Sequence, residues 1–137
     1  GLPSDKALVE QIAAWGAGKP DVILDMTPVP HDKLQVYFRS ADISVCPYRR
    51  TMNSGAAMMA VTFDLPVLGP KAGGFQDLYK KGCALGYDIK DMEALVATME
   101  AAVLNGVVVQ KSNIEKHRVE LSPRHVSRSF FSIFRDF

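Results

Sequence analysis

The residues best suited to binding an anion lie at a predicted helix start near residue 54. There the segment 47–57, PYRRTMNSGAA, joins a short apolar run to a helical pattern of small residues. The first N–H groups of a helix lack intrahelical partners and carry partial positive charge, so they bind phosphate readily. Small side chains leave this backbone accessible, a hydroxyl adds a donor, and arginines neutralise a diphosphate. The predicted phosphate-binding residues are Asn53, Ser54, Gly55, Ala56, Arg49 and Arg50.

The same residues also fit a purely structural role. Asn53 or Ser54 would cap the helix, and the two arginines would simply be solvated. Local sequence alone leaves both interpretations open.

Predicted strands and helices alternate along the chain, and these elements must position the segment at 47–57. Short apolar runs predict strands at 22–24, 43–46, 66–68 and 83–85. Helical patterns lie between and around them, near 4–15, 31–41, 54–63, 76–80, 91–104 and 122–137. This alternation predicts an α/β fold, with right-handed βαβ units and a parallel sheet covered on both faces. Ligands of such sheets bind outside the carboxyl ends of the strands, which directs attention to the loops after Met26, Cys46 and Leu68.

Two helices have apolar stripes, and each stripe predicts the face that its helix buries. In the helix at 91–104, the residues expected to point inward are Met92, Leu95, Val96, Met99 and Val103. The stripe of the last helix is Val126, Phe130, Ile133, Phe134 and Phe137. We interpret this second stripe as a core or interdomain contact, with a membrane-surface helix as the alternative.

Composition narrows the function classes. The chain has 137 residues, of which 47% are hydrophobic, and a net charge of +1, which indicates one globular domain without the basic excess that nucleic-acid binding needs. Cys46 and Cys83 are expected to be buried thiols in a reducing compartment. The three histidines are scattered, so we expect no metal site, and no catalytic residue is assigned. No apolar run approaches the ~18 residues of a membrane span, and we expect a cytoplasmic protein, with peripheral attachment to the inner membrane as an alternative.

Six segments, taken in order, resemble the C-terminal domain of retaining GT-B glycosyltransferases. They are VPHDKL at 29–34, ADISVCP at 41–47, MMAVTFDLPVL at 58–68, GGFQD at 73–77, DMEAL at 91–95 and the closing helix at 121–137. The resemblance implies a Rossmann-like half of a GT-B fold that binds a nucleotide-diphospho-sugar as donor substrate, with no further cofactor. It also implies a bacterial enzyme of polysaccharide biosynthesis.

The resemblance assigns further residues to the donor. The nucleotide base and ribose would lie against Val29, Pro30, His31, Leu34 and Met59. The turn formed by Gly73 and Gly74 would approach the donor sugar, although any tight turn also favours glycine.

Two departures from the family pattern matter. Where the family has glutamates that position the donor sugar or phosphate and bind the ribose, this chain has Thr51 and Met59. Methionine cannot accept a ribose hydroxyl's hydrogen bond as a carboxylate does. Either the donor is held through Asn53, Ser54 and the backbone, or the domain is a degenerate, non-catalytic scaffold. A sugar-nucleotide epimerase of the same fold is a further alternative.

The second departure is that the chain opens downstream of the family's first strands and basic diphosphate clamp. We therefore expect residues 1–137 to be one partial domain that is inactive alone. It should act with an N-terminal acceptor-binding domain, which the helix at 121–137 would contact. A sheet without its central strands exposes an edge, so pairing with a second copy or with the rest of the protein is also expected.

Overall fold

The computed structural model of this chain describes residues 6–50 and 52–133. The chain divides into two compact units, residues 1–34 and 35–137. In the first unit, helix α1 spans Lys6–Gly16, and an irregular segment leads to α2, His31–Ser40, which runs on into the second unit.

The strand predicted at 22–24 is wrong. Residues 22–26 have no regular secondary structure, and Ile23 is 92% exposed. A strand is stable only when its backbone groups pair with a neighbour. Among the described residues no ladder includes this run, so its apolar side chains do not suffice to make it a strand.

The rest of the second unit alternates strands and helices before ending in three helices. Its elements are β1 Ser44–Val45, α3 Gly55–Thr62, β2 Val67–Pro70, α4 Phe75–Lys80, β3 Ala84–Tyr87, α5 Met92–Asn105, α6 Lys111–Glu120 and α7 Pro123–Ile133. Within the described residues the strands form a three-stranded parallel sheet in the order β1-β2-β3. The predicted α/β architecture with a parallel sheet is thus confirmed.

Each face of the sheet carries its own apolar cluster. Val67 and Ala84 are register partners and face a cluster that includes buried residues of α3, α4 and α6. Leu68 and its neighbours on the opposite face pack against Leu95 of α5. Because both crossovers step in the same direction across the sheet, crossovers of one hand put α3 and α4 on the same face.

Helix starts were predicted better than helix faces. Ser54 caps α3, as one of the two predicted interpretations had it, and Asp91, the first residue of the helix predicted at 91–104, caps α5. Each accepts a hydrogen bond from the N–H three residues later. The inward face predicted for α5 is largely wrong, because Met92, Val96, Met99 and Val103 are all 41% exposed or more. Only one side of α5 meets the sheet, through Leu95, and the buried residues of α5 are Leu95 and Ala102.

Val126 and Phe130, the members of the α7 stripe whose side chains are described, are not part of the core. Val126 is 51% exposed and Phe130 is 56% exposed. Phe134 and Phe137 lie outside the described residues, as does the predicted cap of α1 at Ser4. The interdomain and membrane interpretations of this helix therefore stay predictions.

Helix α6 was not predicted, yet it completes the first cluster. Ile114 is fully buried there beside α3 and α4. We expect Ile114→Ala to lower the free energy of unfolding by ~2–5 kcal/mol, because it leaves a cavity in a packed cluster. Urea unfolding monitored by circular dichroism would measure the change.

A matched control is Leu104→Ala on α5, where the side chain is 82% exposed. It should change the free energy of unfolding by no more than about 0.5 kcal/mol. Equal effects of the two substitutions would contradict the assignment of α6 to the core.

Candidate anion-binding site at the start of α3

The start of α3 lies at the carboxyl edge of the sheet. Strand β1 ends at Val45, and the N–H of Cys46 still donates to the carbonyl of Leu68 at 2.8 Å before the chain leaves the sheet. Ser54 then adopts an extended conformation, and α3 begins at Gly55. The predicted loop after Cys46 is therefore the connection that brings a helix N-terminus to this edge.

Ser54 has the structural role foreseen as the alternative. It is 8% exposed, and its Oγ accepts a hydrogen bond from the N–H of Ala57 at 3.1 Å. The same hydroxyl donates to the Tyr48 hydroxyl at 3.4 Å. Ser54 is thus first of all a helix cap.

The two residues after the cap leave the helix start open. Gly55 and Ala56 are exposed, and a Cβ built on Gly55 would meet nothing within 4 Å. Among the described residues, no acceptor is bonded to the N–H of either residue. Two backbone donors at the positive end of a helix dipole are therefore left without a partner among the described residues.

The glycine turn after β2 contacts this same loop. The N–H of Gly74 donates to the carbonyl of Met52 at 2.7 Å. A Cβ on Gly74 would lie 2.9 Å from Oδ1 of Asn53 and 3.0 Å from the Met52 oxygen. Gly73 has a φ of +55°, the left-handed region that favours glycine. Contact with the loop, rather than closeness to a ligand, accounts for the glycine at 74.

Aromatic residues support the loop from the sheet side. The Tyr87 hydroxyl donates to the backbone carbonyl of Tyr48 at 3.3 Å, and the Tyr48 ring meets Phe75 edge to face at 5.9 Å. Burial raises the pKa of Tyr87, which keeps its hydroxyl a donor. The sequence did not reveal this role, because a tyrosine in a strand is ordinary and only the fold brings residues 48 and 87 together.

A cavity of about 390 Å³ opens beside the helix start. Asn53, Ser54 and Gly74 line it at the loop, and Lys81 and His117 line it at α4 and α6. Residues from the two predicted parts of the site, the phosphate loop and the sugar turn, therefore share one cavity.

A charged cluster lies on the α6 side of this cavity. The Lys81 ammonium donates to Oε2 of Glu120 at 2.5 Å and lies 3.1 Å from Nδ1 of His117, which is itself 3.3 Å from Glu120. Hydrogen bonds from Lys81 and His117 lower the pKa of the Glu120 carboxyl. His117 is 7% exposed, so this cluster joins α4 to α6 at the edge of the core.

The remaining predicted site residues lie in several different parts of the chain. Arg49 and Arg50 are exposed, and neither takes part in a salt bridge between described residues. Met59 is half-buried on α3. Thr51 lies outside the described residues. The proposed base and ribose residues Val29, Pro30, His31 and Leu34 belong to the first unit, whereas the phosphate and sugar residues belong to the second.

The thiols behave as predicted. Cys46 and Cys83 are free and buried, and burial raises the pKa of both. Across residues 6–50 and 52–133, no group of histidine, cysteine, aspartate and glutamate is arranged to bind a metal ion. No helix in that part of the chain has the length and apolarity to cross a bilayer.

Chemically, the start of α3 offers two unpaired amides and a helix dipole beside a largely apolar cavity, and the amides and the dipole suit an anionic group. Compared with known proteins, the chain matches no family model, no curated protein and no solved structure.

The lowered pKa of Glu120 predicts a pH-dependent contribution to stability. A carboxyl whose pKa is lower in the folded state stabilises the protein above its unfolded pKa, near 4.5, and loses that effect as the pH falls through the folded pKa. We expect Glu120→Gln to lower the melting temperature at neutral pH, and the difference from the unsubstituted chain to shrink in acid below that range.

The control is Glu115→Gln on the same helix, since no ion pair of the described residues includes Glu115. Its effect should be small at every pH. A Glu120→Gln difference that persists unchanged into acid would show that the carboxylate's charge is not what matters.

Proposed function

We propose that this chain is the donor-binding part of a glycosyltransferase, which moves a sugar from a nucleotide-diphosphate donor in bacterial polysaccharide biosynthesis. The donor's diphosphate binds at the start of α3. The observation that carries the proposal is the open N-terminus of this helix at the carboxyl edge of the parallel sheet, where a Cβ on Gly55 would meet nothing within 4 Å. Ligands of α/β sheets bind at this edge.

The physical basis is the charge that develops as the sugar leaves. The departing nucleoside diphosphate gains negative charge, and fixed amides with a helix dipole stabilise that charge without having to reorient. The N–H groups of Gly55 and Ala56 are placed for this role. The exposed side chains of Arg49 and Arg50 are free to fold over the phosphates and add charge-assisted hydrogen bonds.

The wider architecture follows from the resemblance to GT-B enzymes. The three-stranded parallel sheet is compatible with a Rossmann-like domain. By that resemblance, an acceptor-binding domain would supply the acceptor site and the rest of the catalytic machinery. Free, buried thiols suit a cytoplasmic location.

The test is a calorimetric titration of UDP, GDP and ADP into the chain and into its Gly55→Trp variant. An indole ring at this open position would cover the two amides without entering the core. We expect one of the nucleotides to bind saturably, and Gly55→Trp to weaken its binding by roughly a hundredfold or more, the loss expected for two charge-assisted hydrogen bonds.

Met92→Trp is the matched control, because Met92 is likewise the first residue of a capped helix and is 43% exposed. It should leave the affinity unchanged. Failure of all three nucleotides to bind would contradict the proposal and favour a non-catalytic scaffold. Binding that Gly55→Trp leaves intact would move the diphosphate away from α3.

A further inference from the structure

His117 is a buried histidine with one unpaired ring nitrogen. Its side chain is 8% exposed, and its Nδ1 lies 3.1 Å from the Lys81 ammonium and 3.3 Å from Oε2 of Glu120. Its Nε2 has no hydrogen-bond partner among the described residues. In that part of the chain no fully buried side-chain nitrogen or oxygen lacks a partner, so Nε2 reaches open space. The cavity of about 390 Å³ that His117 lines supplies such space.

The contacts of Nδ1 leave the hydrogen on Nε2. When Nδ1 accepts from the Lys81 ammonium, the neutral ring keeps its proton on Nε2. When the ring is doubly protonated, Nδ1 donates to Glu120 and Nε2 is again a donor. The third form, with the proton on Nδ1 alone, would set two donors 3.1 Å apart. His117 therefore offers an N–H group to an acceptor atom of a ligand in the cavity.

The charged residues at this end of the cavity do not favour a phosphate. The Lys81 ammonium is paired with Glu120. Asp77, an exposed carboxylate of α4, also lines the cavity and takes part in no salt bridge between described residues. Its negative charge repels an anion, whereas its oxygens accept hydrogen bonds from uncharged N–H groups. An anionic group suits the start of α3, and an uncharged group suits this end.

The cavity connects these two ends through largely apolar walls. Asn53 and Ser54 line it beside the start of α3, and Met58, Leu78 and Leu121 line it farther along. Its volume lies within the range of about 300–1,000 Å³ that is usual for small-molecule pockets.

A nucleotide sugar has two groups beyond its diphosphate, and the walls discriminate between them. The sugar has a hydroxyl on most of its carbons, and burying hydroxyls against apolar side chains without hydrogen bonds costs free energy. A nucleobase has apolar faces, and its donors and acceptors are confined to its edge. The cavity therefore suits the base better than the sugar.

We propose that the base of the nucleotide binds in this cavity, with its faces against the apolar walls. The Nε2–H of His117 donates to a ring nitrogen or carbonyl oxygen of the base edge, and Asp77 accepts from one of its N–H groups. The inference rests on the proposed function, because it requires a diphosphate at the start of α3. It keeps the base and the diphosphate within the second unit, whereas the family resemblance assigned the base mainly to residues 29–34 of the first.

Calorimetric titration of inorganic diphosphate beside UDP, GDP and ADP tests the proposal, because inorganic diphosphate has no base. Leu121→Trp would fill the cavity from its α6 end. It should weaken binding of the preferred nucleotide by about tenfold or more, through loss of the contacts to the base, and leave the affinity for inorganic diphosphate unchanged. The matched control is Val119→Trp, at a 54% exposed position on α6 that does not line the cavity. It should change neither affinity.

Two substitutions of His117 isolate its Nε2–H. Asparagine reaches only as far as Nδ1, where its oxygen can accept from Lys81, whereas glutamine places an amide N–H near the position of Nε2. We expect His117→Asn to weaken nucleotide binding by roughly tenfold, the loss for one unsatisfied polar atom of the base, and His117→Gln to retain most of the affinity. Neither should change the binding of inorganic diphosphate. Circular dichroism would verify that the variants fold.

The outcomes separate this inference from the proposed function. Nucleotide binding that Leu121→Trp and His117→Asn leave intact would overturn the base assignment and keep the diphosphate at α3. Equal weakening of nucleotide and inorganic diphosphate would also overturn it, since no contact to the base would then be lost. Should the His117 variants not fold, Leu121→Trp decides alone, because Leu121 is 41% exposed. If the unsubstituted chain binds no nucleotide, the proposed function fails and this inference fails with it.

Discussion

The parallel pairing of β2 with a strand on each side is the constraint on which the second unit depends. All four residues of β2 are buried, so every backbone group of this strand must find its partner in β1 or β3. Parallel neighbours cannot be joined by tight turns, and each connection must return across the sheet. Helices α3 and α4 are those returns, and both consequently start at the same edge.

The contact between the two connections then sets the shape of the site. The hydrogen bond from the Gly74 N–H to the Met52 carbonyl joins the loop before α3 to the turn before α4. Tyr87 holds the same loop through the Tyr48 carbonyl. With its loop bonded at both points, the start of α3 is a fixed feature of the fold, and fixed donors bind an anion without the entropy cost of ordering them first.

The sequence predicted what local chemistry decides and missed what tertiary contacts decide. The helix starts near Ser54 and Asp91 and the apolar run at 66–68 are signals complete within a few residues, and they were predicted correctly. The run at 22–24 has the same apolar character as β2, but a strand exists only with a neighbour, which local sequence does not specify. Helix α6 lacks a strong apolar stripe, since Ile114 and His117 are its buried residues.

The same distinction between local signals and tertiary contacts applies to the candidate site. Its loop was predicted from residue types and its glycine turn from the family resemblance, and the fold brings Asn53, Ser54 and Gly74 to one cavity. The roles of Tyr48, Tyr87 and the Lys81–His117–Glu120 cluster depend on pairs far apart in sequence. No periodicity or local motif contains such pairs, so only the folded chain reveals them.

Capping and anion binding at Ser54 need not compete. A helix start has more than one open donor, and the Ser54 hydroxyl satisfies only the N–H of Ala57. The N–H groups of Gly55 and Ala56 come earlier in the helix, and the Ser54 hydroxyl bonds neither of them. A serine cap followed by glycine and alanine therefore stabilises the helix while leaving its first two amides to a ligand. A longer side chain at 55 would keep the cap but cover the amides, so the glycine at this position separates the functional interpretation from the structural one.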